Sequence, residues 1–437
     1  AGLPLDAHTA FMKAQACLRD HPFFAELRPI REIVEHNSSV VAASTPMDPM
    51  PFSPDTSLYQ TVFEEVKRTI GGVECVYPRM FPLRPDSNPV FVKKFRVLSG
   101  FCESHHLSIS GDEDLEKARK KDFMAQIDFT LLGFSAYHSE SPIPVLFNLL
   151  LWWFDDKYID TLSAQTEIHE TETKQLDTIL QLKNDMKAVF DLQETQKIFE
   201  TDADIIKIAK QVHQMLIGFC KSQRVDDNTY NAFVRATFET FDSQIQQAER
   251  KVKESVHEKI LSPEKYETER LKFSGVRPSL MLGFLLDGGA VDNIRDDDYI
   301  NELWGLVNWL VSIDNCGDSS EKEINIEKDP ENHVFILYKA ILDKKGIFYD
   351  TIDAYFDNIQ KHPEEIKSAF KKNQEKINQT LLKIRELLSC KPSGKSDDFE
   401  KAVKAAVCWV NALPWSKKTM RYYFNPLSQQ HERQLIG

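Results

Sequence analysis

Leu149-Leu150-Leu151-Trp152-Trp153-Phe154-Asp155-Asp156-Lys157-Tyr158-Ile159-Asp160 is an apolar and aromatic run that ends abruptly in three aspartates. From Pro144 to Asp160 apolar residues recur at three- and four-residue spacing, which predicts a helix buried along most of its length. Asp156 and Asp160 are four apart and share a helical face, with Asp155 beside them and Trp152 one turn deeper. Carboxylates set above an apolar wall are costly to bury unless cations offset their charge. Oxygen ligands without His or Cys favour a hard divalent ion, Mg²⁺, with Mn²⁺ as the alternative. The plain reading is a solvated helix end, and the chain supplies decoys for comparison: Asp226-Asp227, Asp297-Asp298 with Glu302, and Asp397-Asp398 with Glu400. None of these follows a deep apolar helix.

The same periodicity dominates the chain from about Asp114 onward. It predicts helices over Glu116–Leu132, Glu170–Asp191, Asp202–Lys221, Thr229–Leu261, Pro263–Leu286, Asp297–Asn315, Val334–Gln360, Pro363–Leu388 and Phe399–Leu413. Ser262-Pro263-Glu264 offers an N-cap, a first-turn proline and an acid at the positive helix end. Asp329-Pro330 and His362-Pro363-Glu364 punctuate in the same way, and Gly317–Asp329 and Cys390–Asp398 are expected loops. Gly is scarce, with 16 residues, which disfavours a fold of many tight β-turns. Residues 1–110 hold much of the proline and read as a less regular N-terminal layer packed on the rest, with Val90–Leu98 as an extended candidate. The expected fold is all-α: one large helical bundle over 111–437, carrying that extension.

The chain has 437 residues and a net charge of -13, from 54 Lys and Arg against 67 Asp and Glu. Such a field repels nucleic acid, and an anionic substrate must be met by bound metal or a local basic pocket. No apolar run reaches the roughly 20 residues that a membrane span needs. The seven scattered cysteines lack a CxxC pattern and Ala1–Asp20 lacks a signal pattern, so a reducing, cytoplasmic setting is expected. The absent initiator Met points to processing or trimming. Oligomeric state stays open, and a homodimer is compatible with everything above.

Two further constellations matter. Asn315, Ser319 and Glu323 fall at i, i+4 and i+8, placing an amide oxygen, a hydroxyl and a carboxylate on one helical face. Lys322 beside them could reach an anion that a metal holds. Gly317 favours the duller reading, a fraying helix end, because Gly costs about 1 kcal/mol in a helix interior. After the last long helix, Arg421-Tyr422 pairs a guanidinium with a phenol that can together grip a phosphate.

An Asp-rich motif, an (N/D)xxx(S/T)xxxE triad and an RY pair, in this order on an all-α chain, resemble class I terpene cyclases, and most closely the fungal-type sesquiterpene cyclases. The resemblance covers roughly Asp114 to Phe424. It implies a class I terpenoid-synthase fold, three Mg²⁺ ions held by Asp155, Asp156, Asp160, Asn315, Ser319 and Glu323, and a place in secondary metabolism. It implies ionisation and cyclisation of farnesyl diphosphate to a sesquiterpene hydrocarbon or alcohol. Diphosphate contacts would come from Lys322, Arg421, Tyr422 and a sensor arginine. The family's sensor context, Tyr-x-x-x-Arg-Arg-x-Thr-x-Gly, is met here by Tyr266-Glu-Thr-Glu-Arg270-Leu-Lys-Phe-Ser-Gly275-Val-Arg277, where Leu271 and Phe273 depart from it. Arg270 is the candidate sensor and Arg277 the reserve. Phe147, Trp152 and Trp304 are candidate cavity walls, although an aromatic stripe at helical spacing is more often plain core. Two readings compete: a cyclase of geranylgeranyl diphosphate, since the motifs do not set prenyl length, and a non-catalytic acidic helical interaction protein.

Overall fold

The computed structural model describes residues 61–82, 143–159, 170–191, 203–253, 255–324 and 329–416. The expected helix over 116–132, the extended stretch at 90–98, Asp160, Arg421 and Tyr422 lie outside the described residues. So do the side chains of Trp152, Asp156 and Lys322.

The described chain begins with a β-hairpin, β1 (Thr61–Ile70) and β2 (Val73–Pro82), and then is helical. The helices are α1 (Ile143–Phe154), α2 (Glu170–Phe190), α3 (Ala203–Gln223), α4 (Asp227–Lys251) and the short α5 (Val256–Lys259). They continue with α6 (Pro263–Phe273), α7 (Val276–Leu286), α8 (Asp298–Lys322), α9 (His333–Lys345), α10 (Ile352–Lys361), α11 (Pro363–Ser389) and α12 (Asp397–Ser416). The all-α class expected from periodicity is what the structure shows.

Local sequence explains the helix ends. Ser262 accepts the Lys265 backbone N–H at 3.3 Å with Pro263 inside the first turn. The decoy acids turn out to be structural. Asp226 caps α4 by accepting the Thr229 N–H at 2.8 Å, and Asp297 caps α8 by accepting the Ile300 N–H at 3.2 Å. Asp398 accepts the Ala290 N–H at 3.1 Å and ties α12 to the turn after α7.

Three expected helices are broken where the backbone needs it. The stretch from Pro263 splits at Gly275, whose φ of +73° suits Gly alone. A Cβ there would stand 3.2 Å from Leu151 Cδ1, so this break also lets α1 approach. The stretch from Val334 splits at Gly346, which closes α9 in the left-handed conformation, and Thr351 caps α10. The stretch from Thr229 breaks after Lys251, and Ser255 recaps it.

The opposite correction applies to α8. Gly317 was expected to open a loop, yet the helix runs on to Lys322. A Cβ at Gly317 would sit 2.8 Å from Gln374 Nε2 and 3.3 Å from Asn373 Nδ2. The residue is small because α11 packs against it there, and that packing overrides the weak propensity. The triad is thereby carried on continuous helix.

Two cores hold the molecule. The larger joins α1–α4, α7, α8, the C-terminal half of α11 and α12; the smaller gathers hairpin residues Val66, Ile70 and Cys75 against α9, α10 and the start of α11. The hairpin was not anticipated within the N-terminal layer. Its turn is Gly71-Gly72, both at positive φ, with Ile70 paired to Val73. That is the two-residue loop that matches strand twist.

Candidate metal and diphosphate site

The Asp-rich motif sits where α1 loosens. After Phe154 the backbone winds as a π-helical turn from Asp155 to Ile159. Such turns re-aim side chains and cluster at functional sites. Phe154 is fully buried against Phe241 at 4.6 Å, so Asp155 follows directly on the packed core. Asp155 is half-buried, and Gln244 Nε2 of α4 lies 3.4 Å from its Oδ1.

The triad lies at the end of α8. Ser319 Oγ is 2.6 Å from Glu323 Oε1 and 3.0 Å from the Asn315 carbonyl oxygen. The second carboxylate oxygen of Glu323 accepts the Asn332 side-chain amide at 2.5 Å. Asn332 also donates to the Cys316 carbonyl at 2.7 Å, while its Oδ1 caps α9 by accepting the Val334 N–H at 2.8 Å. Burial raises the Glu323 carboxyl well above its usual range and nearby Asp329 adds to this, against the hydrogen bonds from Ser319 and Asn332 and the charge of Arg270.

Arg270 joins the two motifs. Its guanidinium donates to the Ser312 carbonyl of α8 at 3.2 Å and lies 4.6 Å over the Phe273 ring. Burial works against its charge but is outweighed by Cys316, Tyr266, Glu323 and Asp155 around it, so its pKa is raised. Burial keeps the Cys316 thiol and the Tyr266 phenol protonated. Arg270 Nε is buried with no hydrogen-bond partner. Arg277, the reserve, is exposed on α7.

A second set of charges, which sequence reading missed, braces the rims from below. Buried Lys251 of α4 donates to the Ile159 carbonyl at 3.3 Å and pairs with Asp329 at 2.8 Å. The Asp329 N–H in turn donates to the Glu323 carbonyl at 3.1 Å, and Gln247 donates to the Asp329 carboxylate at 3.0 Å. Gln244, Gln247 and Lys251 thus form one face of α4 that touches the Asp-rich motif and reaches the triad through Asp329. Beside them Arg250 holds Glu331 at 2.9 Å and Glu269 at 2.8 Å. Burial pushes Glu331 up to about 7 despite that partner.

The candidate wall residues are placed as follows. Phe147 is fully buried, edge-on to Phe233 at 5.0 Å. Trp304 packs edge-on to Phe284 at 6.0 Å and donates its indole N–H to the Ala402 carbonyl at 2.9 Å, bridging α7 and α12.

Among the described residues no three His, Cys, Asp or Glu side chains gather as a metal cage. The donor set that is described is of another kind: the Ser319 hydroxyl touching the Glu323 carboxylate, Asn315 one turn before them, and Asp155 close enough to raise the pKa of Arg270 beside the triad. Hard oxygen donors around a desolvated carboxylate fit a hard divalent cation, which would relieve the burial cost of Glu323. The unsatisfied Arg270 Nε fits an anionic ligand beside it.

The packing next to the site carries a pH signature. His333 stacks on Tyr266 at 5.9 Å, its Nδ1 lies 2.6 Å from Asn373 Oδ1, and burial pushes it down to about 4. A folded pKa below the unfolded value of about 6.5 means that stability is complete above pH 6.5 and is lost as pH falls toward 4. The loss by pH 4 is roughly 3 kcal/mol. Urea midpoints for wild type and His333→Gln at pH 7 and pH 4.5 should converge at the lower pH. A gap that is the same at both would refute this assignment.

Solved structures share the fold, a terpene-forming synthase by name among them. A variant of the SVS_A2 protein from ancestral sequence reconstruction is 12% identical, with 79% of this chain and 89% of that one covered and a TM-score of 0.53. Germacradien-4-ol synthase from Streptomyces citricolor is 12% identical, with 78% and 97% covered and a TM-score of 0.50. No curated protein sequence matches the chain. No described helix is long and apolar enough to cross a membrane. Residues 146–340 match the family described as terpene synthase family 2, C-terminal metal binding, and within that span lie Asp155, Arg270, Asn315, Ser319 and Glu323.

Proposed function

We propose that the protein is a class I terpene cyclase of the fungal type that ionises farnesyl diphosphate, cyclises it to a sesquiterpene hydrocarbon or alcohol, and releases diphosphate. The observation that carries the reading is Arg270, which donates to the Ser312 carbonyl of the triad helix, keeps a buried Nε without a hydrogen-bond partner, and lies within the electrostatic reach of Glu323 and Asp155 from motifs far apart in sequence. The family match over both motifs and the fold shared with terpene synthases support it.

Asp155, Asn315, Ser319 and Glu323, together with Asp156 and Asp160, would hold Mg²⁺, three ions by family resemblance. When bound, the metal supplies positive charge that neutralises the diphosphate and stabilises it as a leaving group. The chain's own residues do the rest. Asn332 and Ser319 hold Glu323 in a ligating orientation. Arg270 Nε donates to a phosphate oxygen, Lys322, Arg421 and Tyr422 add further donors, and the packed helices keep water away. The carbon–oxygen bond then breaks with its electron pair left on the diphosphate, because donors are already aimed where that charge develops. Phe147, Trp152 and Trp304 are the proposed aromatic boundary for the allyl cation, each such face contributing roughly 0.5–2 kcal/mol. The final proton passes to the released diphosphate, or water captures the cation.

The test has two arms. Mg²⁺ with inorganic diphosphate should raise the melting midpoint by a few degrees, since ligand at about 100 Kd stabilises the native state by roughly 2.7 kcal/mol. Incubation with Mg²⁺ and farnesyl diphosphate should yield a cyclic sesquiterpene by gas chromatography with mass spectrometry. Product from geranylgeranyl diphosphate alone would replace the proposed substrate. An unchanged midpoint and no product from either would leave a non-catalytic acidic helical protein.

A further inference from the structure

Arg79 of β2 reaches into the bundle and forms an ion pair with Asp314 of α8, with the two side chains only 1% and 3% exposed. Asp314 immediately precedes Asn315, the first member of the triad. The hairpin backbone on either side of Arg79 is clasped by one residue of α11. Asn378 Oδ1 accepts the Met80 N–H at 2.8 Å, and Asn378 Nδ2 donates to the Pro78 carbonyl at 3.3 Å. An isolated two-stranded hairpin is marginal in water, so this one depends on docking for its own order.

A buried ion pair is a poor way to gain stability, because desolvation takes back most of the Coulomb attraction and apolar residues of similar volume often serve as well. Its effect is directional: it holds two groups in one geometry. At this turn of α8 the pair of Arg79 and Asp314 acts alongside contacts to the backbone and to Cys316. Ser312 accepts from Arg270, Cys316 Sγ lies 3.2 Å from the Tyr266 hydroxyl, and Ile313 accepts from Asn373 at 3.5 Å. A helix rotation of about 10° displaces an oxygen roughly 6 Å from the axis by about 1 Å. Metal-ligand distances tolerate only about 0.2 Å. Whatever fixes the rotation of α8 at Asp314 therefore governs how well Asn315 and Ser319 ligate.

We propose that Arg79 is a positioning residue for the metal rim: through Asp314 it fixes the rotation of α8 where the triad begins, which makes the hairpin a working part of the site. This rests on the reading of the triad as a metal rim.

The test uses the full chain with Mg²⁺ and inorganic diphosphate as probes. The double variant Arg79→Met/Asp314→Leu replaces the pair with apolar residues, and Asn378→Ala loosens the hairpin while leaving the pair in place. Two quantities are read: the midpoint without ligand, and the Mg²⁺ concentration giving half of the diphosphate-dependent midpoint shift. The double variant should melt close to wild type yet need at least tenfold more Mg²⁺, with turnover at saturating Mg²⁺ changed far less than the Mg²⁺ requirement. Asn378→Ala should melt earlier with its Mg²⁺ requirement unchanged. A folded double variant within twofold of the wild-type requirement would overturn the proposal and leave the hairpin a stabilising element only. If the double variant does not fold, Arg79→Lys decides: its single ammonium should raise the requirement part way, and no change would overturn the proposal. A wild-type protein showing no Mg²⁺-dependent shift would instead remove the metal-rim reading, and the proposal with it.

Discussion

Glu323→Ala and Asp155→Ala are each expected to lower kcat/KM for farnesyl diphosphate about a thousandfold or more, a transition-state loss of roughly 4 kcal/mol. Glu323 is held by Ser319 and Asn332 and desolvated, so removing its charge takes away a ligand whose orientation is already set. Asp155 is half-buried at the start of a π-turn, outside the packed apolar core, so its loss should leave the fold intact. The control is Asp297→Ala. Asp297 caps α8 and pairs with Lys395 at 2.9 Å, well away from the motifs. Its removal should cost about 1 kcal/mol of stability with turnover nearly unchanged. Steady-state kinetics and urea melts on the three variants check this, and equal turnover losses in all three would discredit the site.

The second large effect concerns Arg270. Arg270→Met should reduce kcat/KM by about a hundredfold to a thousandfold, as expected for loss of a preorganised charged donor. Arg277→Met, on the exposed face of α7, should stay within about twofold, because a solvated charge does little at a distance. Binding of inorganic diphosphate in the presence of Mg²⁺ should weaken only in the first variant. Because Arg270 carries positive charge within reach of Glu323 and Asp155, Arg270→Met leaves both carboxylates less compensated in the metal-free protein. Its melting midpoint without ligand should therefore fall and recover as Mg²⁺ is added. Loss of diphosphate binding in Arg277→Met instead would transfer the sensor role to the reserve residue.

The way the two arginines separate shows where sequence reading reaches its limit. Both were candidates because each sits near the expected motif position, and only burial and neighbours distinguish them. The same holds for the acidic decoys. Asp226, Asp297 and Asp398 look like ligands in a string of letters, whereas in the fold each accepts a backbone N–H that would otherwise lack a partner. Gly317 misleads in the other direction, since its helix cost is real but is offset by the approach of Gln374. The hairpin, by contrast, had a readable signal that went unused: Gly71-Gly72 between two runs rich in β-branched and aromatic residues is a two-residue turn by local chemistry alone.

Helical class, the cap at Ser262, and the common face of Asn315, Ser319 and Glu323 were already settled by residue order, because each depends on neighbours within four positions along a helix of known pitch. The partners of those residues were not. Asn332 on Glu323, Lys251 between Ile159 and Asp329, and Arg79 on Asp314 join segments that periodicity treats as independent. Which charge meets which is decided when the apolar faces close and water is expelled, since only then does a carboxylate need its particular cation.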